Sequence, residues 1–165
     1  LKKAQNRDSR LRDSADKLTI TGARRTALKL LSYRARSEKE IRERLLEKGY
    51  DPEVADSVIK GLKSSGLIND KEAASSFLRI ARESKLLGVM GIRDYLFKRG
   101  IPEGLIEETI KGIDELEPAI KATEKWLRHN RLKDPQGELR LRQYLMRRGY
   151  SSDTINEVIK KYSND

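Results

Sequence analysis

The residues of this 165-residue chain that could do chemistry are almost all cations. There is no cysteine, so disulfides and thiolate metal sites are excluded. There is one histidine, His129, so a two-histidine metal site or a histidine relay is excluded as well. It follows Trp126-Leu127-Arg128 beside an apolar stripe, the place of a capping or surface residue. Glu107 and Glu108 are adjacent on a helical pattern and face apart, so they make a poor acid–base pair. Gly88-Val89-Met90-Gly91 lacks the Lys-Ser/Thr of a phosphate-binding loop and reads as a helix junction. No catalytic residue, cofactor or metal is therefore expected. What remains is 36 Lys and Arg against 26 Asp and Glu, a net charge of +10. A surplus of cations without catalytic partners points to binding of a polyanion.

That charge is unevenly placed. Residues 1–36 carry net +8, and the rest of the chain is close to neutral. Residues 1–20 read as a basic arm, helical or disordered, serving either as an electrostatic handle or as a solvated tail. Hydrophobic residues are 36% and charged residues 38%, a polar balance for a globular chain. No run approaches the roughly 18 apolar residues of a membrane span, and no apolar run follows Leu1-Lys2-Lys3-Ala4-Gln5 as in a signal peptide. A cytoplasmic, membrane-free protein is expected.

The elements that must position the cations repeat. Ile41-Arg42-Glu43-Arg44-Leu45-Leu46-Glu47-Lys48-Gly49-Tyr50 aligns with Ile92-Arg93-Asp94-Tyr95-Leu96-Phe97-Lys98-Arg99-Gly100-Ile101. Both align with Leu141-Arg142-Gln143-Tyr144-Leu145-Met146-Arg147-Arg148-Gly149-Tyr150. Downstream, Ile59, Ile110 and Ile159 match, as do Lys60, Lys111 and Lys160. A period near 50 marks a repeat architecture. Each unit reads as three helices. The second carries apolar residues at 41, 45 and 46 or their equivalents and stops at a glycine suited to a left-handed residue after the helix end. Ser37 with Glu40 forms a capping box before it, and Gly88 and Gly137 fill that place in the other units. Asp51-Pro52 and Ser151 open the third helix, where Pro102 takes the cap position of unit two. The third helix buries Val54, Ala55, Val58, Ile59 and Leu62 or their equivalents. First helices are expected over 22–35, 70–86 and 117–131, with Ala27, Leu28, Leu31, Phe77, Leu78, Ala81, Ile120, Trp126 and Leu127 apolar. The fold is thus expected to be all-α: three tandem three-helix repeats over 21–68, 69–116 and 117–165, stacked into an elongated, curved solenoid of undetermined hand.

The run Ala27-Leu28-Lys29-Leu30-Leu31-Ser32, then Ser37-Glu38-Lys39-Glu40-Ile41 through Lys48-Gly49-Tyr50, then Gly66-Leu67-Ile68-Asn69-Asp70, resembles the RecX family of bacterial regulatory proteins over about residues 21–162. No single motif is diagnostic; the order of all of them carries the likeness. The resemblance implies a non-enzymatic inhibitor of the RecA recombinase, expected as a monomer. It implies binding in the groove of the RecA–DNA filament, beside single- or double-stranded DNA, and restraint of ATP hydrolysis, growth and strand exchange. It thereby implies a part in homologous recombination, DNA repair and the SOS response. A general DNA- or RNA-binding helical repeat and a protein–protein scaffold are the alternatives that composition and repeats leave open.

Basic residues recur in three columns, where composition alone predicts about half a column. Arg42, Arg93 and Arg142 fall between apolar positions and are expected to cover the core and meet a carboxylate. Lys48, Arg99 and Arg148 sit in the last helical turn, where the helix dipole favours a cation. Lys60, Lys111 and Lys160 face away from the core as a lysine ridge. Cations that break the repeat are better candidates for an asymmetric partner. Arg24, Arg25, Arg34 and Arg36 form one basic pole, and Arg140, Arg147 and Arg148 the other. Lys60, Lys111, Lys160 and Arg142 follow them as binding candidates.

Overall fold

The computed structural model describes residues 19–132 and 135–163, so most of the expected basic arm lies outside the described residues. Among the described residues there are nine α-helices and no strand, as the periodicity predicts. None of these helices is long and apolar enough to cross a membrane. The chain divides into two compact units, residues 1–73 and 74–165.

The first unit holds α1 (Ile20–Tyr33), α2 (Glu38–Glu47) and α3 (Pro52–Ser64). Thr19 caps α1, its Oγ1 accepting from the Gly22 nitrogen at 3.1 Å. Ser37 caps α2, accepting from the Glu40 nitrogen at 3.1 Å. Asp51 holds the cap position of α3 without a side-chain cap bond, leaving Pro52 to start the helix. α1 presents small residues, Ala23 and Ala27, to a core of Ile41, Leu45, Ala55, Val58, Ile59 and Leu62. Small side chains there let the helix axes approach closely. Tyr50 belongs to this core, with its hydroxyl 2.8 Å from Thr26 Oγ1.

The second unit holds most of α4 (Asp70–Arg79), which continues as a π-helical turn over Ile80–Ser84, then α5 (Val89–Lys98) and α6 (Glu103–Ile110). It continues with α7 (Leu116–Leu127), α8 (Pro135–Arg147) and α9 (Ser152–Ser163). Ala119, Ala122, Leu141, Leu145, Tyr150, Ile155, Val158 and Ile159 repeat the core pattern of the first unit.

The ends of α2, α5 and α8 are one motif three times. Gly49, Gly100 and Gly149 have φ of 85°, 78° and 79°. The next residue's nitrogen bonds back to the carbonyl of Leu45, Leu96 or Leu145, at 3.1, 3.1 and 3.3 Å. This is a Schellman closure, and glycine enters the left-handed region without a Cβ penalty.

Four local expectations are corrected. Gly137 is not a cap but lies inside α8, which starts two residues earlier at Pro135. The column of Leu46 is not core in every unit: Leu46 is half-buried, while Phe97 and Met146 are 67% and 61% exposed. The i, i+4 pairs 41/45, 92/96 and 141/145 already fill the buried face of these short helices, and the next position turns about 100° away. Leu28 is exposed, because Ala23 and Ala27 form the buried side of α1. α6 ends at Ile110, so Lys111 sits beyond its helix, unlike Lys60 and Lys160.

Candidate binding surface

The arginines of the first recurring column, half-exposed, bond to neighbouring side chains. Arg42 Nε lies 2.6 Å from Asp56 Oδ1, joining α2 to α3. Arg93 pairs with Glu107 between α5 and α6. Arg142 Nη1 donates to Asn156 Oδ1 at 2.6 Å between α8 and α9, with Glu138 at 3.6 Å. The partner is always fourteen residues on. The hydrogen bond from Arg42 holds the Asp56 carboxyl below its ordinary value, and the same bond raises Arg42. These arginines join the second helix of each triplet to the third; Arg42 and Arg93 meet the expected carboxylate there, whereas Arg142 meets the Asn156 amide and finds its carboxylate, Glu138, on its own helix.

The seven arginines of the two expected basic poles divide. Arg34 is bidentate to Glu40, at 3.0 Å for each bond, and also donates to the Ala35 carbonyl. Arg36 Nε donates to the Leu30 carbonyl at 3.1 Å. Arg148 donates to the Lys85 carbonyl, and its guanidinium carbon lies 4.6 Å from the Tyr144 ring centroid. These three tie loops to helices. Arg24 and Arg25 on α1 are exposed, as are Arg140 and Arg147 on α8. Lys60, Lys111 and Lys160 are exposed too.

Arg147 and Arg148 belong to something periodicity could not show. Within the second unit they line a cleft of about 450 Å³ with Lys85, Lys98, Lys125, Asp94 and Tyr95. Five cations therefore face one carboxylate. Lys98, Lys125 and Arg147 make no ion pair with a carboxylate among the described residues. Other exposed cations are paired in part, as in Lys63–Glu38, Arg44–Glu47 and Lys121–Glu117, while Arg24, Lys29, Lys48 and Lys60 make no ion pair among the described residues; what sets this group apart is its convergence on one cleft. Lys85, Lys98 and Lys125 come from three separate segments of the chain. Only Lys98, the repeat counterpart of Arg147, carried a signal that could have linked it to that residue.

A tight seam holds the walls of this cleft. The π turn ends in Lys85, whose nitrogen donates to the Ile80 carbonyl at 3.1 Å. Leu86 then takes φ 51°, a left-handed conformation uncommon for a leucine. Its carbonyl accepts the Tyr150 hydroxyl at 2.9 Å. Gly88 and Met90 nitrogens donate to the Arg148 and Gly149 carbonyls at 3.0 and 3.1 Å. The Gly88 N–H is thus committed within the chain. Glu115, buried, gathers the adjoining helix starts: it accepts from the Val89 nitrogen at 2.5 Å, the Ser151 nitrogen at 3.1 Å and Thr154 Oγ1 at 3.0 Å. Burial opposes its charge, but these bonds together outweigh burial and hold its carboxyl below the ordinary value. Burial drives the Tyr150 phenol well above its ordinary value, so it stays a donor to Leu86.

Among the described residues no group of three His, Asp or Glu side chains could hold a metal ion. His129 is exposed, and Glu107 is occupied by Arg93.

Comparison with known proteins agrees with this architecture. The RecX first three-helix domain matches residues 23–62, and the RecX third three-helix domain matches residues 113–159. Regulatory protein RecX of Mycolicibacterium vanbaalenii is 32% identical over 126 residues, 73% of this chain and 68% of that protein. Regulatory protein RecX of Clostridium botulinum (strain Alaska E43 / Type E3) is 32% identical over 125 residues, 74% of this chain. The match spans 58% of the length of that relative. The crystal structure of RecX from Lactobacillus salivarius matches with a TM-score of 0.73 at 25% identity, covering 92% of this chain and 99% of that one. A further crystal structure of regulatory protein RecX matches with a TM-score of 0.76 at 30% identity, covering 90% and 75%.

Proposed function

This chain belongs to the RecX family of regulatory proteins, and we propose that it acts as a non-enzymatic inhibitor of the RecA recombinase. In this reading it works in the cytoplasm as a monomer, binds in the groove of the RecA–DNA filament and restrains ATP hydrolysis, growth and strand exchange. Homologous recombination, DNA repair and the SOS response are the processes it would temper. The observation that carries the reading is the family membership itself, supported by the match of caps, closures and core along both units. The exposed arginines Arg24 and Arg25 on α1, and Arg140 and Arg147 on α8, supply the charge that would draw the protein to a polyanionic filament. Arg34 and Arg36 fasten loops within the first unit, and Arg148 fastens one within the second. Exposed Lys60, Lys111 and Lys160 add general attraction, and Arg142 holds α8 to α9.

The test is the DNA-dependent ATPase of RecA at fixed ATP, with and without the folded protein. Stoichiometric or lower amounts should depress the rate. An unchanged rate with a protein that melts cooperatively would overturn the reading.

A further inference from the structure

We propose that the cleft formed by Lys85, Lys98, Lys125, Arg147 and Arg148 binds the phosphodiester backbone of a nucleic-acid strand, without reading its bases. The proposal deepens the functional reading by giving its nucleic-acid partner a place in the molecule, and it rests on that reading for the choice of polyanion.

Like charges brought to one concave surface repel, and a fold normally relieves this by interleaving carboxylates. Here one carboxylate, Asp94, shares the cleft with five cations. Three of those cations lack any carboxylate partner among the described residues. In an open, largely polar cleft where cations outnumber the carboxylate five to one, their summed field attracts the opposite ion.

About 450 Å³ is many times the roughly 30 Å³ that one water occupies in the liquid. The space suits a run of charged groups better than a single small ion. Cations arriving from the π-turn exit, α5, α7 and α8 surround it from several sides, as a strand of successive phosphates requires.

Sequence-tolerant strand binding often relies on open aromatic faces for stacking. The aromatic residue in this cleft, Tyr95, is already engaged. Lys85 Nζ lies 5.3 Å and the Arg99 guanidinium 5.0 Å from its ring centroid, and Phe77 meets it edge-on at 6.3 Å. The cleft offers charge rather than a stacking platform. Contacts to phosphates position a strand and carry no sequence information.

The seam explains why the cleft can hold its cations together. Arg148 is fixed by the Lys85 carbonyl and Tyr144, and the Gly88–Arg148 and Met90–Gly149 backbone bonds keep α5 against the end of α8. The cost of gathering positive charge is met by backbone contacts that do not change with salt.

The experiment is fluorescence anisotropy with two labelled single strands of equal length, oligothymidylate and a mixed sequence, titrated over a range of salt. The wild-type protein should bind both alike. The K98Q/K125Q/R147Q variant should bind both at least about tenfold more weakly at low salt. Its log–log salt slope should be shallower by about two, at roughly 0.7 per phosphate neutralised on a single strand. D94N should bind several-fold more tightly, an effect that partial unfolding cannot produce. Should the triple variant melt early, the single variant K125Q together with D94N decides the matter, since the two must move in opposite directions. Wild-type affinity in the cation variants overturns the proposal, and so does a strong preference for one sequence. It is equally overturned if the triple variant keeps strand binding but loses the filament, which would make the cleft a protein contact. RecA ATPase, measured separately on the wild type, keeps the two readings apart. Depressed ATPase with an unaffected cleft variant removes the cleft proposal alone. Intact cleft results with unchanged ATPase remove the functional reading alone.

Discussion

A Cβ placed on Gly149 would lie 2.0 Å from the backbone nitrogen of Gly91. The approach is reciprocal: a Cβ on Gly91 would lie 2.2 Å from the Arg148 carbonyl oxygen, and one on Gly88 would lie 2.5 Å from that of Gly149. Two helices of the second unit therefore meet backbone to backbone, with no side chain between them to yield.

That contact distinguishes glycines that look alike in sequence. Gly149 and Gly66 both have positive φ, 79° and 72°, but nothing lies within 4 Å of a Cβ at Gly66. Gly66→Ala should cost about 1–2 kcal/mol, the left-handed penalty alone. Gly149→Ala adds a clash that only backbone movement can relieve, and should cost more than about 3 kcal/mol. Urea unfolding of both variants checks this, and similar midpoints would contradict it.

Glu115 links stability to pH. Its carboxyl in the folded protein titrates below the ordinary carboxylate value, because the bonds from Val89, Ser151 and Thr154 outweigh burial. The stabilisation is complete above the ordinary value, about 4.3. As pH falls below that, the unfolded chain takes up the proton first and the contribution drains away. It is gone once pH has passed the lower, folded value. Glu115→Gln should cost about 1–3 kcal/mol at neutral pH, since it weakens bonds from part-buried backbone donors to a buried carboxylate. Its melting temperature should also fall less steeply between neutral and acidic pH than that of the wild type. Parallel slopes would show that Glu115 is not the group responsible.

The arginines should separate into two classes under substitution. Arg42, Arg93 and Arg142 join helices through partners fourteen residues away, and Arg148 joins the seam through Lys85. Their change to Gln should lower the melting temperature. Arg24 and Arg147 are exposed, with no ion pair to a carboxylate among the described residues. R24Q/R147Q should melt as the wild type does and lose affinity for the RecA–DNA filament, most visibly at low salt. Melting curves and a salt titration of filament binding on the two sets decide it. A destabilised R24Q/R147Q variant would show that these arginines, too, are structural.

Much of this protein is local and so is legible in its residues. The i, i+4 apolar pairs, the glycines after α2, α5 and α8, and the Ser37 cap act within a few residues of themselves. So does the placing of Arg42 between core positions, which makes a carboxylate partner predictable, though not the helix that supplies it. Three-dimensional packing decided what depends on residues far apart in the chain. Gly88 reads as a helix start and Gly149 as a helix end; that they touch is a property of two helices about sixty residues apart. Leu86 has no local reason to be left-handed, and its conformation is held by Tyr150, 64 residues on. Arg148 and Arg147 are neighbours of one charge in sequence, yet one is spent on the Lys85 carbonyl and the other is exposed. Lys85, Lys98 and Lys125 share no column of the repeat, and became one surface only when α5, α7 and α8 closed around it. Charge acts through space, so periodicity along a chain can count cations but cannot say which of them converge.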